Sequence, residues 1–251
     1  MDLQLSDKTA LVTGASVGIG RAIAMSLAAE GAQLAISARR VDKVKEVSDA
    51  VVAAGGKQPL LLACDLYQAD AARQLAAQAT QGLGRVDILV NNAGGSRSFK
   101  DLHVSEEAWQ EAITLNFHRP RQLADALIDA MVANGWGRIV NITGKSEPEH
   151  INGAFCAKAA MHSWAKGLSR MVGKGGVTVN CIAPGRIFSE QILRNYSPEY
   201  RQWQSDNEIP VGRYGEAQEL ADLAVFLASS RASYITGTVI PVDGGLRKYQ
   251  F

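Results

Sequence analysis

The sequence lacks a strong imbalance of charge and any long hydrophobic run. Its 26 basic and 25 acidic residues leave a formal net charge of +1 over 251 residues, whereas nucleic acids and anionic membranes are bound through excess positive charge. No uninterrupted apolar run reaches the ~18 residues of a membrane-spanning helix, and no basic segment with an apolar core precedes the first strand-like stretch. We therefore expect a soluble, cytoplasmic protein that binds neither nucleic acid nor membrane.

Cysteine is scarce, with only Cys64, Cys156 and Cys181 present. Their number and spacing match neither a secreted disulfide framework nor a zinc site, so we expect a reducing compartment and no bound metal. The sequence also has no internal repeat, low-complexity tract or linker rich in proline or serine. Because 47% of the residues are hydrophobic, a chain of this length can bury one large core. We expect a single domain over residues 1–251.

Short apolar runs alternate with segments of helical periodicity along the whole chain. Nearly continuous runs of Ala, Val, Leu and Ile are typical of strands buried on both faces, as in parallel sheets that helices cover on each side. Seven such runs lie at residues 10–12, 34–36, 60–63, 86–90, 138–142, 177–182 and 237–240. The pattern predicts an α/β fold of the Rossmann type, with a doubly wound, seven-stranded parallel sheet and helices on both faces.

A glycine-rich segment, TGASVGIG at residues 13–20, follows the first run directly and leads into a helical pattern. Its three glycines allow a tight turn, a close approach of the backbone to a pyrophosphate and close packing of helix on strand, while the N-terminus of the helix offers free N–H groups to an anion. The segment predicts a dinucleotide-binding site; a glycine-rich turn without a ligand is the alternative. The residues of this site are Gly14, Ser16, Gly18, Ile19 and Gly20.

Further motifs follow the later strands: Asp65, an Asn-Asn-Ala-Gly stretch at residues 91–94, Asn116, Lys158 and a Pro-Gly pair at residues 184–185. With these motifs the whole chain resembles the short-chain dehydrogenases and reductases, and among them most the β-ketoacyl-carrier-protein reductases. In that family the counterpart of Asp65 contacts adenine, the Asn-Asn-Ala-Gly turn supports the adenosine side and the central sheet, and the Pro-Gly segment lies against nicotinamide. The resemblance implies coenzyme contacts at Asp65, Leu66, Asn92, Ala93, Gly94, Lys158, Pro184, Gly185, Ile187 and Ser189.

The end of the second strand indicates which coenzyme is bound. An enzyme that uses NAD places an acidic residue there, on the ribose 2′-hydroxyl, but this sequence has Ala38 followed by Arg39 and Arg40. A guanidinium can make charge-assisted hydrogen bonds to the 2′-phosphate of NADP. We therefore expect NADP(H) as the cofactor, with Arg39 on the phosphate; the alternative is that both arginines are solvated turn residues.

The family's proton chemistry needs a serine, an asparagine, a tyrosine and a lysine, and two of these are missing. Asn116 and Lys158 match. The tyrosine belongs four residues before the lysine, where this sequence has Ala154, and Phe155 beside it has no ionisable hydroxyl. The serine belongs at the end of the fifth strand, where Gly144 stands. The resemblance therefore implies coenzyme binding more firmly than it implies the usual catalysis.

The segment KSEPEH at residues 145–150 lies next to the missing serine and is dense in titratable groups. The resemblance also implies that the stretch from Gly144 to Ala154 is a few residues shorter than family members usually carry. His150 is a candidate proton donor, because histidine titrates near neutral pH. Ser146 is a second candidate, in the role of the serine, and a water molecule held through Asn116 is a third. His162 lies four residues after Lys158, on the same stripe of the predicted helix. We expect it in a subunit contact.

The resemblance also implies how substrate and subunits are arranged. Residues 189–209 match the variable segment that covers the substrate in this family, and the aromatic residues in it suggest a small-molecule substrate that is partly apolar. The helical stripes at residues 123–131 and 157–171 are rich in apolar residues, and the family pairs these helices across two-fold axes. We expect a homotetramer.

Three classes of function remain open. The first is an NADP(H)-dependent oxidoreductase of carbonyl or alcohol substrates with a non-standard proton relay, since loss of a positioned acid typically costs ~10²- to 10⁴-fold and leaves slow turnover. The second is a nucleotide-binding protein without redox turnover, acting as a sensor or a silent subunit. The third is a lyase or decarboxylase without redox chemistry, with Lys158 and residues 145–150 as acid and base.

Overall fold

The computed structural model describes residues 1–96, 99, 102–144 and 151–248, with the side chain of Gln191 left aside. A π-helical turn at Thr114–His118 and short 3-10 turns at Gly173–Gly175 and Ser230–Ala232 join the regular elements. In chain order those elements are β1 (Thr9–Thr13), α1 (Gly18–Ala29), β2 (Gln33–Ala38), α2 (Val41–Ala53), β3 (Leu60–Ala63), α3 (Ala71–Leu83), β4 (Ile88–Asn91), α4 (Glu106–Ile113), α5 (Arg119–Ala133), β5 (Gly137–Ile142), α6 (Gly153–Val172), β6 (Val177–Pro184), α7 (Glu190–Asn195), α8 (Pro198–Asn207), α9 (Ala217–Ala228) and β7 (Val239–Val242).

The strands form one parallel sheet in the order β3-β2-β1-β4-β5-β6-β7. The predicted doubly wound, seven-stranded sheet is therefore confirmed. From β1 the chain builds outward to β3 and then returns to place β4 on the other side of β1. This reversal opens a crevice at the carboxyl ends of β1 and β4, which is where open α/β sheets bind their ligands.

Side chains of the sheet alternate between two apolar layers, as the two-residue period of a strand requires. In β1, Ala10 and Val12 pack with helices α1, α2 and α9. Leu11 points to the opposite face and packs with α3, α5 and α6. All three side chains are fully buried. Helices cover both faces, as the continuous apolar runs predict.

Two strands begin two residues later than predicted, and the other strand starts agree with the predictions to within one residue. β4 begins at Ile88 rather than at residue 86; just before this strand, the carboxylate of Asp87 accepts the amide of Thr9 at 3.0 Å. β7 begins at Val239 rather than at residue 237, because Gly237 has a φ of +69°, outside the extended region. Neither difference moves a residue of the predicted coenzyme site.

Polar side chains cap the helices that border the crevice. Asn152, before α6, accepts hydrogen bonds from the amides of Ala154 and Phe155, and Ser189, before α7, accepts one from the amide of Ile192. Such caps satisfy N–H groups that the first turn of a helix leaves free. α1 differs, because no side chain caps its N-terminus. In the described residues, no helix combines the length and the apolar character that crossing a bilayer requires.

Candidate functional site

The turns that follow β1 and β4 are hydrogen-bonded to each other. The hydroxyl of Thr13, the last residue of β1, accepts from the amides of Asn92 and Ala93 at 3.1 and 3.0 Å. The side chain of Asn92 donates in return to the carbonyls of Thr13 and Gly14 at 3.1 and 3.0 Å. These bonds hold the glycine-rich turn against the Asn-Asn-Ala-Gly turn and give the crevice a rigid floor.

Two positions of the glycine-rich turn, Gly14 and Gly20, have no room for a side chain. A β-carbon on Gly20 would lie 2.2 Å from the carbonyl oxygen of Gly14, and one on Gly14 would lie 2.9 Å from the Cα of Ala93. Gly18 instead opens toward the crevice, with Ser189 at 4.0 Å from the place of its missing β-carbon. Gly18 is also the first residue of α1, whose N-terminal amides no side chain caps. A helix N-terminus of this kind binds phosphate. The residues present therefore fit the pyrophosphate of a dinucleotide.

The side of the crevice where adenosine is expected lies at the ends of β2 and β3. The carboxylate of Asp65 accepts the amide two residues further on at 3.1 Å, which holds this turn in place. Leu66 is buried, and its carbonyl accepts a hydrogen bond from Nε of Arg119 at 2.7 Å. Arg39 and Arg40 are both exposed at the end of β2. Their guanidinium groups are accessible to an anionic ligand.

Asn116 lies in the π-helical turn between α4 and α5. Its side chain donates to the carbonyls of Gly95 and Ala112 at 3.0 and 2.9 Å and accepts the amide of Gly95 at 3.3 Å. π turns are rare and occur frequently at functional sites. Here the turn directs the amide of Asn116 at the loop after β4, so this residue holds that loop beside the crevice.

Lys158 extends from α6 and places its amine between two glycines. Nζ donates to the carbonyl of Thr143 at 2.7 Å, and it lies 3.8 Å from the positions that β-carbons on Gly94 and Gly144 would take. The residue keeps some exposed surface, but its amine lies deep in the protein, where desolvation lowers its pKa to about 8. At pH 7 the amine is mostly protonated and has N–H groups beyond the one that binds Thr143.

Ala154 and Gly144 stand at the positions where the resemblance implies the family's tyrosine and serine. Ala154 is 2% exposed and lies one helical turn before Lys158, on the same face of α6. A β-carbon on Gly144 would lie 3.3 Å from Cδ of Lys158. The hydroxyl of the neighbouring Thr143 is engaged elsewhere, since it donates to the carbonyl of Ile182 at 3.1 Å. These positions offer a substrate no hydroxyl of their own.

His162 has a partner within its own chain. Its Nε2 lies 2.8 Å from Oγ1 of Thr143. Desolvation of the half-buried ring lowers its pKa, and the positive charges of Arg247 and Lys158 act in the same direction. The imidazole is therefore neutral at pH 7. The subunit contact predicted for His162 stays a prediction; within its own chain, His162 is bonded to the strand end whose carbonyl holds Lys158.

A cavity of about 10 Å³ lies between Asn116 and Lys158. Its volume corresponds to one water molecule. Asn91 and Asn141 also line it, and the amide of Asn91 donates to Oδ1 of Asn141 at 2.9 Å. Within the described part of the chain, the buried Oδ1 of Asn91 has no hydrogen-bond partner. The cavity is thus polar and large enough for a water molecule between the two predicted catalytic residues.

The side of the crevice where nicotinamide is expected is built by the end of β6 and the residues after it. Gly185 packs against Asp243, since a β-carbon on Gly185 would lie 2.6 Å from the Cα of Asp243. Pro184 precedes it as the last residue of β6. Ile187 is buried and pairs with Gly215 in an isolated β-bridge. The chain is therefore held down at this point before it enters α7.

The predicted substrate-covering segment, residues 189–209, folds into α7 and α8. Tyr196, Tyr200 and Trp203 form a ladder with ring centroids 5.5 and 5.9 Å apart. Tyr200 is 44% and Trp203 50% exposed. The segment thus presents aromatic surface to solvent, which keeps the expectation of a partly apolar ligand open.

The coenzyme residues predicted from the sequence lie together at the carboxyl edge of the sheet, in the loops and helix starts that follow the strands. They are Gly14, Ser16, Gly18, Ile19, Gly20, Arg39, Asp65, Leu66, Asn92, Ala93, Gly94, Lys158, Pro184, Gly185, Ile187 and Ser189. Asn116 and Lys158 meet at the small cavity. The other two catalytic candidates, Ser146 and His150, lie outside the described residues.

Sequence reasoning missed three contacts that shape the site. The Thr13 hydroxyl joins two turns, the Thr143 hydroxyl meets His162, and Asn152 donates to Oγ of Ser96 at 2.9 Å. An asparagine directly before a helical pattern is an N-cap signal that could have been found. All three contacts nevertheless join residues far apart in the chain, and no local pattern reveals the contacts themselves.

Comparisons with known proteins agree with this geometry. The family model described as Enoyl-(Acyl carrier protein) reductase matches residues 14–247. The 3-oxoacyl-acyl-carrier-protein reductase FabG of Escherichia coli strain K12 is 37% identical over 248 residues, which cover 97% of this chain and 99% of that protein. The chain belongs to the short-chain dehydrogenase/reductase family.

Solved structures of short-chain dehydrogenases/reductases share the whole fold. L-sorbose reductase from Gluconobacter frateurii, complexed with NADPH and L-sorbose, has a TM-score of 0.93 at 32% identity, with 99% of this chain and 100% of that chain covered. A short-chain type dehydrogenase/reductase from Mycobacterium marinum has a TM-score of 0.90 at 34% identity, with 99% of both chains covered. The family resemblance inferred from the motifs is confirmed.

Proposed function

We propose that this protein is an NADP(H)-dependent oxidoreductase of a carbonyl or alcohol group in a small, partly apolar molecule, with a proton relay that does without the family's tyrosine and serine. The observation that carries the proposal is an intact coenzyme crevice with the amine of Lys158 beside it. L-sorbose reductase, which shares the fold, holds NADPH. When bound, the nicotinamide coenzyme supplies or accepts the hydride, and the protein supplies orientation and electrostatics.

Four parts of the chain would hold the coenzyme. The glycine-rich turn and the uncapped start of α1 receive the pyrophosphate, and Asp65 lies at the adenine. Lys158 binds the ribose through the N–H groups that Thr143 leaves free. Residues 184–185 lie against the nicotinamide. None of these groups depends on the missing hydroxyls, so we expect coenzyme binding at full strength.

The preference for NADP(H) rests on Ala38 and on Arg39. Fluorescence titration with NADPH and NADH should give a dissociation constant at least tenfold lower for NADPH, about 1.4 kcal/mol. Arg39→Ala should remove most of this difference, because it deletes the guanidinium that we expect to contribute most to binding the 2′-phosphate. Equal affinities of the unchanged protein for both coenzymes would contradict the proposed preference for NADP(H).

Three routes can deliver the proton: His150, Ser146 and a water molecule in the cavity between Asn116 and Lys158. His150→Ala should lower kcat at least tenfold and leave NADPH affinity unchanged, because a proton donor acts in the transition state while the coenzyme is held elsewhere. His103→Ala is the matched control, since His103 is exposed and outside the site. Activity that survives His150→Ala undiminished would shift the role to Ser146 or to the water.

Turnover itself is tested by NADPH absorbance with a panel of carbonyl compounds, together with measurement of the alcohol formed. Loss of one NADPH for each alcohol supports the proposal. Product formation without NADPH loss would indicate lyase or decarboxylase chemistry instead.

A nucleotide-binding protein without redox turnover is the second candidate, favoured by the two missing hydroxyls at Gly144 and Ala154. The double variant Gly144→Ser with Ala154→Tyr separates it from the enzyme. In a rewired enzyme the double variant should not raise turnover, because the phenol occupies space that substrate or a loop now fills. In a silent binder it should create reductase activity on simple ketones where none existed.

We also propose a cytoplasmic homotetramer. The three cysteines are free thiols, which suits a reducing compartment. The apolar residues of α5 and α6 are mostly covered by their own sheet, so surplus apolar surface is a weaker argument for assembly than the sequence indicated. What favours assembly is the outer face of α6, where Ala159, Ala160 and Ser163 are exposed and allow another helix to approach closely.

A further inference from the structure

An ion pair spans the entrance to the crevice from the adenosine side to the substrate-covering segment. Nη2 of Arg40 lies 3.2 Å from Oε2 of Glu190. Arg40 directly precedes α2 at the end of β2, where the coenzyme ribose is expected, and Glu190 is the first residue of α7. Both side chains remain about half exposed, so an incoming anion can reach Arg40.

Backbone hydrogen bonds to Gly215 anchor the residues just before α7. The amide of Phe188 donates to the carbonyl of Gly215 at 2.9 Å, and the amide of Gly215 donates to the carbonyl of Arg186 at 2.9 Å. Ser189 then passes 4.0 Å from the place of a β-carbon on Gly18. The carboxylate of Glu190 therefore enters the crevice mouth from a firmly anchored point, above the phosphate-binding turn.

We propose that Glu190 is a specificity-determining residue, which competes with the 2′-phosphate of NADP(H) for Arg40 and so links coenzyme choice to the attachment of α7. The inference rests on the proposed NADP(H) binding. A carboxylate and a phosphate are alternative acceptors for the same guanidinium. NADH, which has no 2′-phosphate, leaves the pair intact, whereas NADPH must displace Glu190 before Arg40 can bind it.

The size of the effect follows from the exposure of the pair. Exposed ion pairs change equilibria by a factor of about two to five. Glu190→Gln should therefore strengthen NADPH binding about two- to fivefold and leave NADH binding unchanged. Glu199→Gln is the matched control, because Glu199 also lies in the first turn of its helix, as the second residue of α8, and bonds to the cap residue Ser197 instead of Arg40.

The experiment is a double-mutant cycle on the full-length protein, with Glu190→Gln, Arg40→Gln and both together, each titrated with NADPH and with NADH. The gain from Glu190→Gln should vanish in the Arg40→Gln background. A second readout needs no coenzyme: amide hydrogen exchange at Leu193 and Tyr196, whose N–H groups bond within α7, should be about two- to fivefold faster than in the unchanged protein in either single variant, and the double variant should exchange no faster than the single variants.

Two results would overturn the inference while leaving the proposed function intact. One is a Glu190→Gln variant that changes NADPH and NADH affinities alike. The other is a gain that persists without Arg40, which would indicate simple repulsion of the phosphate by Glu190. Failure of the proposed function is seen separately, as an unchanged protein that shows no preference for NADPH, and it would remove this inference as well.

Discussion

Replacing Lys158 by methionine should change the pH dependence of stability in a direction set by the depth of the amine. Desolvation lowers the pKa of Lys158 from 10.5 to about 8 in the folded protein, while the unfolded chain keeps the ordinary value. Between these two values the unfolded state binds a proton that the folded state does not, so stability rises with pH across this window and is lost as pH falls toward 8.

The magnitude follows from the two pKa values. Their difference is equivalent to about 3 kcal/mol at most, and about 2 kcal/mol of this should be regained between pH 7 and pH 10. Methionine has no charge to desolvate, so Lys158→Met lacks this gain. At pH 7 it also loses the bond to Thr143, a charged hydrogen bond worth about 1.5–3 kcal/mol. The two effects nearly offset each other at pH 7 and leave the variant less stable at pH 10.

The assay is urea unfolding followed by tryptophan fluorescence at pH 7 and pH 10, without coenzyme. The stability of Lys158→Met relative to the unchanged protein should fall by about 2 kcal/mol between the two pH values. Lys166→Met is the control, since Lys166 is exposed on the same helix. A stability difference that stays constant from pH 7 to pH 10 would refute the reasoning, because it would mean that the amine of Lys158 is not desolvated.

Three further outcomes are expected. Thr143→Val should cost about 1–3 kcal/mol in urea unfolding, because it leaves His162 without its partner; Thr143→Ser, which keeps the hydroxyl, should recover part of the loss, and equal losses in both variants would contradict this role. Gly20→Ala should weaken NADPH binding at least tenfold in fluorescence titration, since its β-carbon would meet the Gly14 carbonyl at 2.2 Å; Gly167→Ala, with open space around it, should leave binding unchanged. Sedimentation at micromolar concentration should show a tetramer, and a stable monomer would count against it.

The strands and the phosphate-binding turn could be predicted from the sequence because each depends on local chemistry. Continuous apolar runs bury strands on both faces, and the glycines at residues 14 and 20 stand where the structure leaves no room for a β-carbon. Strand boundaries were less predictable: β7 begins two residues late because Gly237 adopts a positive φ, and an apolar neighbourhood does not reveal a backbone angle.

The catalytic end of the site was less accessible to sequence reasoning because its contacts join distant parts of the chain. The spacing of Lys158 and His162 predicts that both lie on one stripe of α6. It does not predict that both contact Thr143, Lys158 at the carbonyl and His162 at the hydroxyl. The π-helical turn around Asn116 is equally hidden, since it differs from an α-helix only by how tightly the backbone is wound. The pairing of Arg40 with Glu190 could not be predicted either, because it depends on the position of α7 in the fold.

The hydroxyl of Thr13 has a consequence for how such a protein can diverge. It fixes the coenzyme turn through Asn92 and Ala93, whereas Lys158 is placed by Thr143, and among the described residues these two sets of bonds share no member. Mutations that remodel one end need not disturb the other. A lineage can therefore discard or replace acid–base groups other than Lys158, which we also place on the coenzyme ribose, while its affinity for the coenzyme stays under separate selection.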